Sequence, residues 1–249
     1  MSRNNAVHKN IAIVSIFVFI AFFGLILRVL SLNYNYAHQL PLLAQAYAIE
    51  TFIFGLNSLL VFSSTLLLFI VFKQKSDRLS TCIATSFILL SINSIYLYHT
   101  RSPEIKDLKY GVMTLQSDAM SCAAASLSNI STYYQMPISE QDAATAIKTT
   151  VQGSSPAQIV LGARQLGFHA EIFHNTKIKD LRYPSMLFVD APLGREKHAL
   201  VIMKKIDNFY INNLGLFYEV WDPEKGPVYW SKELLQSRWH GNGVYIKPK

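Results

Sequence analysis

At 249 residues the chain has room for one or two folding units, but 51% hydrophobic residues is more than a soluble enzyme of that length needs. The net charge of +7 does not mark a nucleic-acid footprint: residues 1–99 hold six of the 23 Lys and Arg and two of the 16 acids, which leaves 17 bases against 14 acids and no basic cluster beyond them. No Walker-type phosphate loop is present either, so neither nucleic acid nor nucleotide is expected as a partner.

The apolar excess is concentrated in three runs, at about 11–32, 49–72 and 79–99, each long enough to cross a hydrocarbon core of roughly 30 Å as a helix. The first, IAIVSIFVFIAFFGLILRVL, is too long for a signal peptide and has no small-residue cleavage site, so it reads as a retained anchor. The third is laced with Ser and Thr and one Asn, Asn93, whose amide needs a partner helix. Arg3 and Lys9 precede the first run, and Lys73, Lys75 and Arg78 lie between the second and third, while residues 33–48 hold no Lys or Arg. Positive charge stays on the cytoplasmic side. Three crossings then put the N-terminus in the cytoplasm and residues 101–249 outside it. Residues 1–100 are thus expected to be a three-helix anchor in the lipid bilayer, and residues 101–109, RSPEIKDLK, a charged linker.

From residue 110 the pattern becomes that of a mixed domain of normal size. CAAASLSNISTYY carries Ala123, Leu127, Ile130 and Tyr134 at helical spacing, with Ser117 or Asp118 as turn-former ahead of it. SEQDAATAIKTT starts with Ser139 and Asp142 at capping-box spacing. SSPAQIVLGARQLG sets Ser155 at the cap, Pro156 at the first helical position and Gly167 past the end. Strands are expected in YPSMLFVDA, in HALVIMKKI and NFYINN as a hairpin about Asp207 and Asn208, and in YEVWDP up to Pro223. SKELLQSRW reads as a last short helix capped by Ser231, before GVYIKP closes the sheet. Helices followed by strands argue for an α+β domain with an antiparallel sheet.

Two cysteines occur. Cys82 lies in the third apolar run and reads as a small hydrophobe. Cys122 opens the Ala-rich helix, where unpaired N–H groups and the positive dipole end favour a thiolate. A buried structural thiol and a nucleophile are both open readings until partners are sought. A cysteine hydrolase needs a base, a group that orients the base and a donor for the oxyanion. His198 begins the apolar strand HALVIM, Asp222 ends the strand in VWDPEKG, and Gln116 stands six residues before the cysteine with a side-chain amide. Each has an ordinary alternative: a strand-edge His, a turn Asp and an exposed Gln. His169 and His174 have no Asp, Glu or Cys at ligand spacing, His240 is expected in a turn, and all three read as structural or surface residues.

Gln116, Cys122, His198 and Asp222 together resemble, in order and spacing, the bacteriocin-processing, double-glycine leader peptidases, papain-like cysteine peptidases of family thirty-nine. The likeness spans residues 110–247. VQGSSPAQIVLGARQLGFHAEIF is similar to the family's capped helix and following strand, KHALVI to its His strand, WDPEKG to its Asp-Pro turn, and LQSRWHGNGVYI to its closing Trp-x-Gly strand. The resemblance implies a papain-like domain over 110–249. It implies Cys122 as nucleophile, His198 as base and acid, Asp222 as its orienter and Gln116 in the oxyanion hole, with no metal or organic cofactor. A protein or peptide substrate and an export-machinery partner follow from the same likeness. Ser121-Cys122-Ala123-Ala124 replaces the family's usual Asp-Cys-Gly-Pro, which leaves a catalytically degenerate, leader-binding or partner-binding module as the alternative. Relatives are fused to an ATP-driven exporter and work in the cytoplasm, whereas here three apolar runs come first. Reporter fusions joined after residue 110 should show an extracytoplasmic domain; a cytoplasmic one would mean that the third run does not span or that the orientation is inverted.

Overall fold

The computed structural model describes residues 101–191, 197–206 and 216–249, together with residues 41–47 and the single positions Phe23, Ile26, Tyr98 and Thr100. Two compact units divide the chain, Met1–Thr100 and Arg101–Lys249. In the first, residues 42–47 are helical, as are those four single positions. The three expected spans lie outside the described residues except at Phe23, Ile26 and Tyr98. Among the described residues no helix is long and apolar enough to cross a membrane.

The second unit opens with a small hairpin, β1 (Lys109–Tyr110) and β2 (Met113–Thr114), and three helices: α1 (Cys122–Tyr133), α2 (Glu140–Ala146) and α3 (Pro156–Gln165). Strands β3 (Phe168–Phe173), β4 (Ser185–Asp190), β5 (Lys197–Ile206), β6 (Phe217–Asp222) and β7 (Gly226–Ser231) follow, then α4 (Lys232–Arg238) and β8 (Trp239–Pro248). Six strands form one antiparallel sheet in the order β3-β8-β4-β5-β6-β7. This is the α+β arrangement expected of helices followed by strands. The expected strand NFYINN lies outside the described residues. Strand β5 pairs with β4 on one side and with β6 on the other, where Val201 lies opposite Trp221 and Ile202 opposite Val220.

Local signals explain the helix ends. Ser155 accepts from the Gln158 N–H and the Gln158 side chain accepts from the Ser155 N–H, a complete capping box with Pro156 in the first turn. Ser139 accepts from the Asp142 N–H, but its hydroxyl donates to the Asp142 carboxylate, so the shorter acid does not reach back to the backbone. Gly167 follows α3 at φ +92°, a conformation that suits glycine.

Helix α1 is buried along nine consecutive residues, Ala123 to Ser131. A helix buried on every side is a core element rather than a surface one. Its small residues permit close seating, and its buried polar groups are partnered: Ser126 donates to the Ala199 carbonyl, Ser128 to the Ile138 carbonyl, and Asn129 bonds both the N–H and the carbonyl of Thr114. A core of Leu187, Val189, Leu200, Ile202, Tyr218, Val220, Trp230, Leu235 and Trp239 packs β4–β8 against α4.

Helices α2 and α3 meet at Gly162, where an added Cβ would lie 2.6 Å from the Ala146 carbonyl carbon and oxygen. Backbone cannot yield as a flexible side chain can. Gly162→Ala should therefore destabilise the unit by about 1–3 kcal/mol, through overpacking, although alanine is otherwise the better helix former by about 1 kcal/mol. Thermal unfolding checks this, and a higher melting temperature in the variant would contradict the close approach.

Candidate active site

Residues 115–121 carry the chain from β2 into α1. Asp118 Oδ1 accepts from the Met120 N–H, and Ser121 both accepts from the Asp118 N–H and donates to the Asp118 carbonyl. Ser121 is fully buried and occupies the N-cap position, yet its hydroxyl makes no bond to the helix. Its work is to close the 118–121 turn. The residue that replaces the family's Asp thus has a local structural role of its own. Cys122 follows as the first residue of α1, a free thiol that remains partly accessible where the nine residues after it are buried.

His198 and Asp222 come together through strand geometry. His198 lies at the beginning of β5, opposite Val189. Carried one step on, the β5–β6 register places Leu200 opposite Asp222, so His198 and Asp222 are diagonal neighbours on one face. His198 Nε2 lies 2.8 Å from Asp222 Oδ1. A carboxylate only accepts, so Nε2 carries the proton and Nδ1 is left for the thiol. Cys122 stands near enough to this imidazole to help raise its pKa. Asp222 Oδ1 accepts in addition from the Glu224 N–H, at 2.9 Å, and the Asp222 carbonyl accepts from the Lys225 N–H. Asp222 therefore caps its own turn while holding the imidazole, which is why it reads as an ordinary turn residue in sequence.

Gln116 joins this group through its backbone. Its N–H donates to the Pro223 carbonyl at 2.8 Å, directly after Asp222. Its side-chain Oε1 is buried without a hydrogen-bond partner. The four sequence-predicted residues thus converge on one end of the sheet, linked as Gln116 to the Asp222 turn, Asp222 to His198 and His198 to Cys122. His169 is exposed on β3, His174 Nδ1 faces Asn242 Oδ1 at 3.2 Å, and His240 Nε2 donates to Asp190 Oδ2 at 2.7 Å. Sequence reasoning passed over Asn129 and Glu140, whose bonds to Thr114 and Ser117 hold the strand and turn that flank Gln116. Nothing in a helix-interior Asn or a first-turn Glu signals such a contact.

Among the described residues one set of metal-type ligand atoms, on His198, Asp222 and Glu224, lies within 4.8 Å. Two of its members are the imidazole–carboxylate pair, whose facing atoms already share a proton, and Glu224 is exposed. The set is accounted for as an acid–base pair beside a turn.

Burial by itself would push the His198 imidazole down, but hydrogen bonds to Asp222 and Cys122 and their charges outweigh it and raise the imidazole from 6.5 to about 9. Burial likewise opposes ionisation of Asp222, yet the His198 hydrogen bond and charge and the Glu224 N–H hold it below the usual carboxylate value of 3.8. The raised imidazole contributes stability that is fully present below pH 6.5 and is lost as pH rises through about 9, on the order of 3 kcal/mol. The depressed carboxylate contributes above 3.8 and fails only as pH falls through its lower folded value. Chemical denaturation of wild type and His198→Asn should therefore differ most near pH 6 and converge towards pH 10. A constant gap across that range would contradict the charged pair.

Residues 111–249 match the sequence model of the peptidase C39 family. Comparison with the curated proteins returns no match. Similar solved structures include a double glycine motif protease from the AMS/PCAT transporter in complex with the leader peptide, with 18% identity over 59% of this chain and 97% of that one and a TM-score of 0.47. The peptidase domain of Streptococcus ComA, a bi-functional ABC transporter involved in a quorum sensing pathway, is 25% identical over 54% of this chain and 96% of that one, with a TM-score of 0.47. The N-terminal peptidase C39 like domain of the toxin secretion ATP-binding protein from Vibrio parahaemolyticus is 18% identical over 51% and 97%, with a TM-score of 0.41. With more than half of its length matched by the family model, the chain belongs to the peptidase C39 family, whose members are cysteine peptidases.

Proposed function

We propose that the chain is an active thiol peptidase that cuts a peptide or protein after small residues of the paired-glycine kind, during export or maturation of that substrate. The observation that carries the proposal is the 2.8 Å His198–Asp222 hydrogen bond, with Cys122 against the same imidazole. Cys122 Sγ attacks the scissile carbonyl carbon with its proton already held on His198 Nδ1, as the raised imidazole favours. The tetrahedral oxyanion is stabilised by the Gln116 amide. Collapse expels the amine, which takes the proton from His198, and leaves an acyl thioester on Cys122. Water, deprotonated by His198, then releases the acid. Asp222 stays ionised throughout and keeps Nε2 engaged, so that Nδ1 serves the reaction. Every step is carried by protein side chains and water.

In the same reading, the three apolar runs hold the protein in a bacterial inner membrane, and residues 110–249 work on the extracytoplasmic side with an export-machinery partner. A second reading, in which the domain binds a leader or partner without cutting it, rests on Ser121-Cys122-Ala123-Ala124 in place of Asp-Cys-Gly-Pro. The closed 118–121 turn favours activity, because Ser121 supplies a stable path into α1 and the thiol stays accessible. Cys122→Ala should lower processing by at least about a thousandfold at unchanged protein level and membrane association, and cells carrying it should accumulate the uncleaved substrate, identifiable by mass spectrometry. Processing that continues undiminished in this variant would rule out the peptidase reading.

A further inference from the structure

Glu140 is fully buried, and among the described residues no Lys or Arg pairs with it. Burying an ionised carboxylate costs several kcal/mol unless hydrogen bonds replace the lost water. Those bonds are made away from its own helix: Oε1 accepts from the Ser117 N–H at 2.9 Å and Oε2 from the Ser117 hydroxyl at 2.5 Å. An acid in a first turn ordinarily serves the helix dipole from an exposed position. Here the backbone N–H of Glu140 is instead taken by Asp107 Oδ1, and the side chain reaches across to another loop.

The Ser117 N–H belongs to the peptide group whose carbonyl is that of Gln116, so the Glu140 bond sets the plane of that peptide. On the other side, Asn129 grips both backbone groups of Thr114, and Pro223 accepts from Gln116 itself. The Ser117 hydroxyl also accepts from the Lys106 N–H. Residues 114–117 are thus held from α1, from α2 and from the Asp222 turn, and by Lys109 Nζ, which donates to the Thr114 hydroxyl at 2.6 Å; Glu140 is the side chain among these that grips the peptide after Gln116. We propose that Glu140 is a positioning residue that orients Gln116 for stabilisation of the oxyanion; the proposal rests on the reading of Gln116 as the oxyanion donor. Glu140 touches neither substrate nor the reacting atoms. It acts through Ser117 on the peptide that carries the Gln116 side chain.

The test uses the full-length chain, a fluorogenic peptide with a Gly-Gly cleavage site, and the matching peptide aldehyde, whose hemithioacetal on Cys122 forms an oxyanion-like centre. Glu140→Gln keeps the volume and one acceptor but turns the second oxygen into a donor facing a hydroxyl that already accepts. The kcat and the aldehyde affinity should fall together by about ten- to a hundredfold, since displaced oxyanion donors cost this much or more. The KM and the iodoacetamide alkylation rate of Cys122, which need no oxyanion donor, should stay within about twofold. Ser117→Ala, which removes only the hydroxyl bond, should show a smaller loss of the same kind, and it decides the matter if Glu140→Gln does not fold. Unchanged aldehyde affinity in both variants overturns the positioning role alone, as does a parallel fall in aldehyde affinity and alkylation rate, which a merely structural role would give. A wild-type chain that neither binds the aldehyde nor cleaves the peptide overturns the peptidase reading and the role of Glu140 with it.

Discussion

The constraint on which the site depends is the burial of helix α1 over the nine residues that follow Cys122. Ala123, Ala124, Ala125, Leu127 and Ile130 leave no exposed face, so the first turn of the helix has little freedom to move. The sulfur is placed by packing and not by a loop. Buried side chains are held in interiors as dense as organic crystals, and a group standing at the edge of such an interior inherits that rigidity. Against it come the ends of β5 and β6, whose register brings His198 and Asp222 to diagonal positions. Neither strand needs the catalytic side chains in order to form, since Leu200, Ile202, Tyr218 and Val220 pack the same strands into the core.

A second layer of constraint is polar. Ser126, Ser128, Asn129 and Ser131 lie on the buried stretch of α1, and each is hydrogen-bonded. Leaving any of them unpaired would cost about 1–3 kcal/mol, so their partners, including the backbone of Thr114 and Ala199, are specified along with them. The same requirement extends outwards through Glu140 and Ser117 to the segment Lys106–Asp107, expected from its charges to be a linker. Residues 101–108 have no regular structure, yet Arg101 accepts from Val151 and Leu108 from Leu115. The stretch that leads into the peptidase unit is part of what holds the Gln116 loop.

Much of this was legible in the sequence where a local rule acts alone. Ser155, Pro156 and Gly167 mark both ends of α3 through capping chemistry that needs no tertiary partner. Cys122, His198, Asp222 and Gln116 could be picked out because a hydrolase needs those four residue types, and the resemblance supplied their order. Strand β7, GPVYWS, escaped because it begins with Gly-Pro and alternates weakly, and only its pairing with β6 makes it a strand. Glu140 and Asn129 escaped for a different reason. Their significance lies in contacts 23 and 15 residues away along the chain, and no periodicity encodes a hydrogen bond to a loop. Ser121 falls between these cases: it is visible as a departure from the family's Asp, but its closure of the 118–121 turn depends on hydrogen bonds to the Asp118 backbone that no residue type announces.

The central claim is that Cys122 performs acyl chemistry in spite of the altered residues around it. The most direct measurement is intact and peptide-level mass spectrometry of the full-length chain, acid-quenched after brief exposure to the p-nitrophenyl ester of acetyl-Gly-Gly. The account predicts a burst of p-nitrophenol and an acetyl-Gly-Gly mass increment on the peptide containing Cys122, both absent in Cys122→Ala. A chain that binds a Gly-Gly peptide equally well with and without the thiol, and takes up no acyl group, would contradict it.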